Sequence, residues 1–276
     1  MMRMPIRIIL FVRPLFESQI KPYLGEETRK FFLNLIDDNL ISRIRGLEKA
    51  PYAIKPLHPA SKCKIIINGK WLISPRDRLT MEFDIIDPGI EERVLAIFKH
   101  ILNELNVVNI AGLDLVLERA IYKLISYEDF FNSFYKNTYV IRFLTPTIIG
   151  RRIYPVKEPY YRLFPSPVDI YEGLLHLWNK YCPESFKVHE DKFLKWLQQN
   201  VYARAYRLKT SEITIKNIRI AGFKGFVKYV IKNYDNEQFI ALLLALTKFG
   251  EISNIGVKRT YGCGVISLSV CKHCDK

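Results

Sequence analysis

Acidic side chains are scarce in this sequence: Asp and Glu number 28 against 42 Lys and Arg, leaving a formal charge of +14. That imbalance disfavours cationic ligands and favours a polyanion, nucleic acid before an anionic membrane surface. Long apolar runs are missing too. No stretch of about 18 uncharged apolar residues occurs, as a bilayer-spanning helix requires, and the segment from Met4 to Val12 is interrupted by Arg7. The same segment lacks a small-residue cleavage site, so it reads as a first strand and the protein as cytoplasmic, with no membrane partner. Cysteines are odd in number and scattered, at Cys63, Cys182, Cys263, Cys271 and Cys274, which fits a reducing compartment rather than a disulfide framework. Cys271-Lys-His273-Cys274 has half of a zinc-site spacing and no second pair completes it, so neither a metal nor a cofactor is expected.

What is present is enough apolar material for two domains: 49% of 276 residues. Arg7 to Arg13 alternates as a strand, and a helix starts at Gly25 with Glu26 and Glu27 in its first turn. Strands follow at Tyr52 to Leu57, Lys64 to Ile67, Lys70 to Ser74 and Leu79 to Ile85, with Asn68-Gly69 as a two-residue turn. A helix over Pro88 to Leu105, then Val107 to Ile110 and Leu113 to Leu124, completes the order of a ferredoxin-like domain at residues 1–127. The remainder, 128–276, repeats that order. It reads as a strand at Thr138 to Leu144, a Pro- and Tyr-rich loop at Pro155 to Pro167, and helices at Asp169 to Tyr181 and Asp191 to Asn200. Strands at Glu212 to Arg219 and Phe223 to Ile231, a helix at Asn236 to Phe249 and a strand at Val265 to Val270 follow. The predicted class is α+β, with two tandem ferredoxin-like (RRM-like) domains.

Two segments carry chemistry. From Tyr202 to Lys232 eight basic residues (Arg204, Arg207, Lys209, Lys216, Arg219, Lys224, Lys228 and Lys232) face one acidic residue, Glu212, with Tyr202, Tyr206, Phe223, Phe226 and Tyr229 interleaved. Phosphate neutralisation plus base stacking requires that mixture, although a solvated strand pair over an aromatic core would show it as well. The second segment runs from Gly250 through Gly256, Gly262 and Gly264, with Lys258, Arg259 and Tyr261 among the glycines. It has the composition of a phosphate-gripping loop, or of turns leading into a last strand.

Phe143-Leu-Thr-Pro-Thr147, Leu163-Phe-Pro-Ser-Pro167 with Tyr171 to Asn179, Ala221-Gly-Phe-Lys-Gly-Phe226 and the terminal Gly-rich loop stand in a fixed order. In this order they resemble the CRISPR-associated repeat-processing endoribonucleases, the Cas-six family of the RAMP superfamily; Pro51 to Leu57 and the Gly25 helix extend the likeness towards the N-terminus. The resemblance implies metal-independent cleavage of precursor CRISPR RNA within its repeats. In that reaction a 2′-hydroxyl attacks the adjacent phosphate and leaves a 2′,3′-cyclic phosphate and a 5′-hydroxyl. Many members place a histidine between the first helix and the next strand, whereas Ile41 to Ala50 has none here and His58 lies beyond. Candidate catalytic groups are therefore Lys30, Lys49, Lys224 and Arg259, since a desolvated lysine beside other cations can transfer a proton while its neighbours hold the phosphate. Tyr23 is a weaker candidate. Arg29, Arg43, Arg45, Arg204, Arg207, Lys209, Lys216, Arg219, Lys228, Gly256, Lys258, Tyr261, Gly262 and Gly264 are the candidate RNA contacts. Repeat RNA is the expected partner, with other subunits of a CRISPR complex and a second copy through Ile148 to Tyr171 as further ones. The alternative is a non-catalytic RNA-binding subunit, or an RNA-binding module unrelated to CRISPR. The Ile- and Lys-rich composition suits a thermophilic archaeon.

Overall fold

The computed structural model describes residues 4–36, 38–45, 47, 50–60, 66–67, 69–87, 89–104, 106–132, 137–151, 160–233 and 235–270. They divide into two units, one of residues 4–125 with Thr260–Gly262 and one of Ser126–Arg259 with 263–270.

The N-terminal unit runs β1 (Ile6–Pro14), β2 (Ser18–Ile20), α1 (Gly25–Leu35), α2 (Asp38–Arg45), β3 (Tyr52–Pro59), β4 (Ile66–Ile67), β5 (Lys70–Ile73), β6 (Leu79–Ile85), α3 (Glu91–Glu104), β7 (Val107–Ile110) and β8 (Leu113–Leu124). Its main sheet has the order β3-β6-β1-β8-β7, and the pairings of β1 with β6 and β8 are antiparallel. Leaving out β7, that is the ferredoxin-like arrangement. Alternation in β1 sends Ile6, Ile8, Leu10 and Val12 into the core, where α1 contributes Phe31 and Phe32. Phe32 stacks on Phe83 and Phe98 and tilts against Tyr52, so one ring secures α1 to strands and to α3. Thr28 Oγ1 donates to the Leu24 carbonyl and accepts from the Leu57 amide, tying α1 to β3. The predicted 68–69 turn agrees with Ile67 pairing with Lys70 and Gly69 at φ 74°, while Asn68 itself lies outside the described residues. Helix α2 was not predicted. Eight residues give a short signal, and it exists mainly to cover the core with Leu40 and Ile44.

The C-terminal unit runs α4 (Tyr127–Phe131), β9 (Thr138–Thr147), β10 (Ile149–Arg151), β11 (Tyr160–Arg162), α5 (Pro167–Tyr181), α6 (Glu190–Asn200), β12 (Val201–Ile215), β13 (Ile218–Ile231), α7 (Glu237–Ser253) and β14 (Ile266–Val270). Its sheet has the order β12-β13-β9-β14, the same arrangement again, so the α+β fold of tandem ferredoxin-like domains is as predicted. Pro167 opens α5 and Asn236 caps α7 by accepting from the Phe239 amide. One sheet face packs Tyr139, Ile141, Phe143, Phe223, Val227 and Tyr229 against these helices. The Tyr171 hydroxyl bridges Tyr139 and Thr247 there, and burial keeps all three tyrosines protonated by raising their pKa values.

Three expectations are corrected here. The strand predicted over Glu212 to Arg219 is broken, because Lys216 and Asn217 adopt φ 49° and 65° and turn the chain between β12 and β13; Asn tolerates that region, and without a glycine the turn was not visible. Gly250 is inside α7 rather than in a loop, where a Cβ would press on Leu174 and Ile266. Within the predicted loop from Pro155 to Pro167, Tyr160–Arg162 forms β11, which pairs antiparallel with β10.

Candidate nucleic-acid interface

The face of the C-terminal sheet turned away from its helices is set by register. Phe226 stands opposite Arg207 on one side and Arg142 on the other; Lys224 stands opposite Lys209, and Lys228 opposite Ala205 and Val140. Directly opposed residues point to one side of a sheet, so Arg142, Arg207, Lys209, Lys224, Phe226 and Lys228 share this face. The Arg142 guanidinium lies 5.7 Å from the Phe226 ring centroid. Among the described residues none of these five cations has an acidic partner; the unit's ion pairs, Arg162 with Asp169 and Lys187 with Glu184, lie elsewhere. Burial, and then the charge of Lys209, hold the Lys224 amine below its usual pKa. Arg204 and Arg219 are exposed on the hairpin, as is Lys216 at its turn. Arg142 was missed in the sequence because it stands alone in its strand.

The Gly-rich segment is closed on itself more than its composition suggested. The Ile255 amide donates to the Gly264 carbonyl and the Gly264 amide to Pro146, while Val257 donates to Ile148. A Cβ on Gly256 would strike the Ile148 carbonyl, and one on Gly264 the Ile255 carbonyl, so these glycines admit the protein's own backbone. Arg259 donates to the Ser253 carbonyl at 2.7 Å, at the C-terminal end of α7, and burial pulls its pKa to about 10. A cation there also suits the helix dipole. Lys258 is exposed at φ 61°.

Within the N-terminal unit, a second polar cluster forms around the tripeptide Thr260–Gly262. The Arg29 guanidinium stacks on the Tyr261 ring, 4.7 Å from its centroid, and the Arg29 Nε is buried without a hydrogen bond. Tyr52 has Arg29 and Thr260 as hydrogen-bonding neighbours; its pKa is raised by burial, which outweighs the opposing effect of Arg29. The Tyr23 hydroxyl donates to the Tyr261 carbonyl, which sits where a Cβ on Gly25 would be. Gly262 lies over Pro56. Lys30, one residue along α1, is exposed and pairs with Glu26 at 3.3 Å. Arg43 is exposed on α2, its guanidinium near Gly89; Arg45 ends α2, and Lys49 falls outside the described residues. Both ring nitrogens of His58 are engaged, Nδ1 with the Pro56 carbonyl and Nε2 with Thr80 Oγ1. No group of three metal-binding side chains occurs among the described residues, and Cys271-Lys-His273-Cys274 lies outside them. Among the described residues no helix is long and apolar enough to cross a membrane.

Comparison with known proteins converges on one family. Residues 141–266 match the family model described as CRISPR-associated endoribonuclease Cas6. A protein of that name from Streptococcus thermophilus is 26% identical over 239 residues, covering 86% of this chain and 88% of its own length. Among solved structures, a Cas6 product complex from Thermus thermophilus superposes with a TM-score of 0.75 at 18% identity, covering 97% of this chain and all of the other. A RAMP protein described as binding different RNA substrates superposes at 0.61 and 12% identity over 96% of this chain. At those identities the structural matches speak for the fold.

Proposed function

We infer the function of this chain from its place in the Cas6 family of CRISPR-associated endoribonucleases: it processes CRISPR RNA, and we propose that it cuts the precursor within its repeats without a metal ion. The observation that carries the reading is the row of cations on β9, β12 and β13 that have no acidic partner among the described residues, inside the segment that matches the family. Such a row has a polyanion as its natural counterion.

In the proposed reaction the 2′-oxygen bonds to the neighbouring phosphorus, the bond from phosphorus to the 5′-oxygen breaks, and the hydroxyl proton passes to a base while the leaving oxygen gains one. Cations hold the additional negative charge of the transition state. The four candidates differ in what their surroundings permit. Lys30 is exposed beside Glu26, and would act from beside Arg29, whose guanidinium Tyr261 already orients. Lys49 would supply a second amine. Lys224 has the lowered proton affinity that general catalysis needs. Arg259 is committed to a backbone carbonyl and would act through the loop it holds.

The test is purified protein with end-labelled repeat RNA in excess EDTA, beside the same RNA carrying one 2′-deoxy substitution at the mapped site. Cleavage that the substitution abolishes supports the proposal; cleavage that survives it, or that EDTA stops, rejects it. Lys30→Ala with Lys49→Ala should lower single-turnover cleavage by about tenfold or more while binding holds. The second reading, an RNA-binding subunit without nuclease activity, is favoured by two observations: Ile41 to Ala50 holds no histidine, and His58 has both nitrogens occupied. Tight repeat-selective binding with no cleavage would establish it.

A further inference from the structure

Lys209 and Lys224 occupy a position that disfavours the sheet they belong to. Like charges directly opposite each other across a strand pair repel, and burial, with the charge of Lys209 added to it, lowers the proton affinity of Lys224. A local conflict of this kind, left unrelieved by any acid among the described residues, marks a place built for something outside the protein. Next to it, Arg142 and Phe226 form a cation–π pair with small neighbours: Ser267 stands across from Arg142, Ser269 across from Val140, and Ala205 across from Lys228. At Ser267, Ser269 and Ala205, therefore, no long side chain stands beside ring and guanidinium. The face combines point charges with flat stacking groups.

We infer that this face binds an unpaired stretch of RNA, with backbone phosphates on Lys209 and Lys224 and a base stacked on the shelf made by Arg142 and Phe226. The inference rests on the reading of the chain as a protein that processes CRISPR RNA, and it adds which form of that RNA the sheet takes. Aromatic rings and guanidinium planes both stack bases, but only bases whose faces are free. In a duplex each base is covered by its neighbours, so a duplex would use the lysines and leave the shelf idle. A face evolved for duplex alone has no use for Phe226 between Arg207 and Arg142.

The experiment titrates the full chain with a short labelled unstructured RNA and with the blunt duplex of that strand and its complement, while repeat-RNA cleavage is followed in parallel. The single strand should bind more tightly. Phe226→Leu and Arg142→Gln should each weaken it about tenfold, as loss of one stacked base does, and leave duplex binding within about twofold. Phe226→Tyr should restore the single-strand affinity. Lys209→Gln with Lys224→Gln should weaken both ligands and flatten the single-strand salt dependence by about 1.4 in log–log slope. Thermal melts check that each variant folds, and Arg142, an exposed side chain, keeps the test decisive if Phe226→Leu does not. The inference fails if duplex binds as well as single strand, if the shelf variants weaken both ligands equally, or if they weaken neither. Intact cleavage of repeat RNA alongside any of those results overturns the shelf alone. Shelf-dependent single-strand binding without cleavage overturns the nuclease reading and leaves the shelf standing.

Discussion

Leaving out β7, the two sheets share one strand order, yet the faces turned away from their helices are finished differently. On the N-terminal sheet Arg7 makes a forked contact with Asp84, at 2.7 and 3.1 Å, and reaches Glu82 at 3.4 Å; Lys55 pairs with that same Glu82, and Arg13 and Arg78 share Glu118. On the C-terminal sheet Arg142, Arg207, Lys209, Lys224 and Lys228 have no such answer among the described residues. Even the ring contacts correspond, with Arg119 lying 5.9 Å from the Phe11 centroid and Arg142 5.7 Å from that of Phe226. What separates the faces is therefore neither topology nor the presence of cations. It is the carboxylates, which make one network self-sufficient and leave the other in need of an external counterion.

The comparison would break first at Arg7. Asp84 is fully buried, and removing a partner from a buried pair leaves an uncompensated charge, so Arg7→Ala should cost about 3 kcal/mol or more in urea denaturation. The pH dependence has a definite sign. Burial outweighs Arg7 and raises the Asp84 pKa, so the folded state holds its proton more tightly than the unfolded chain does. This contribution is fully present below the usual carboxyl value near 3.8 and is lost as pH rises through the folded value. Without Arg7 that window widens upward, and the variant should lose more stability than the parent between mildly acid and neutral pH. A variant as stable as the parent at neutral pH would mean that the N-terminal network is not structural.

Next comes transplanting the missing acid. Ala205 is exposed and stands opposite Lys228, so Ala205→Glu copies onto the C-terminal face the relation that Glu82 has with Lys55. RNA affinity at moderate salt should fall about tenfold and the slope of log affinity against log salt by about 0.7, as loss of one phosphate contact predicts. Stability should move by no more than about 0.5 kcal/mol, since position 205 is exposed and Lys228 is only partly buried. An unchanged salt slope would show that Lys228 does not meet phosphate.

How much of this was visible in the sequence depended on whether a feature is local. Leu79–Ile85, Val107–Ile110 and Leu113–Leu124 were legible to the residue, because their apolar runs end at charged, polar or glycine-containing breaks such as Ala111-Gly112. The basic strand pair was legible as a charge run. Arg142 was not, since its meaning comes from the β9–β13 register, which brings together residues 84 positions apart. The same limit hid the pairing of Lys55 with Glu82 and of Arg29 with Tyr261. Arg259 was legible as a cation, but nothing local announced that Ser253 would engage it.

A smaller effect separates the lysines within the C-terminal face. Because its proton affinity is lowered by burial and by Lys209, Lys224 should lose its charge at a lower pH than an ordinary lysine, and a bound phosphate should restore it. RNA affinity should then fall a few-fold as pH rises from neutral into the alkaline range, with uptake of a proton on binding. In Lys224→Arg the fall should shift upward in pH, because a guanidinium stays charged. Equal profiles for parent and variant would remove Lys224 from the set that meets phosphate.

The smallest expected effect is the sharpest control. Arg119→Gln deletes the N-terminal counterpart of Arg142, at nearly the same distance from a phenylalanine and on the corresponding side of its own sheet. If cations on such a face attract RNA simply by being there, Arg119→Gln and Arg142→Gln should weaken binding alike. If the face must be left unneutralised to serve, Arg119 lies among paired charges and its loss should change RNA affinity by less than about twofold, against about tenfold for Arg142. Equal losses would return the difference between the two sheets to net charge, and the missing carboxylates would then explain nothing.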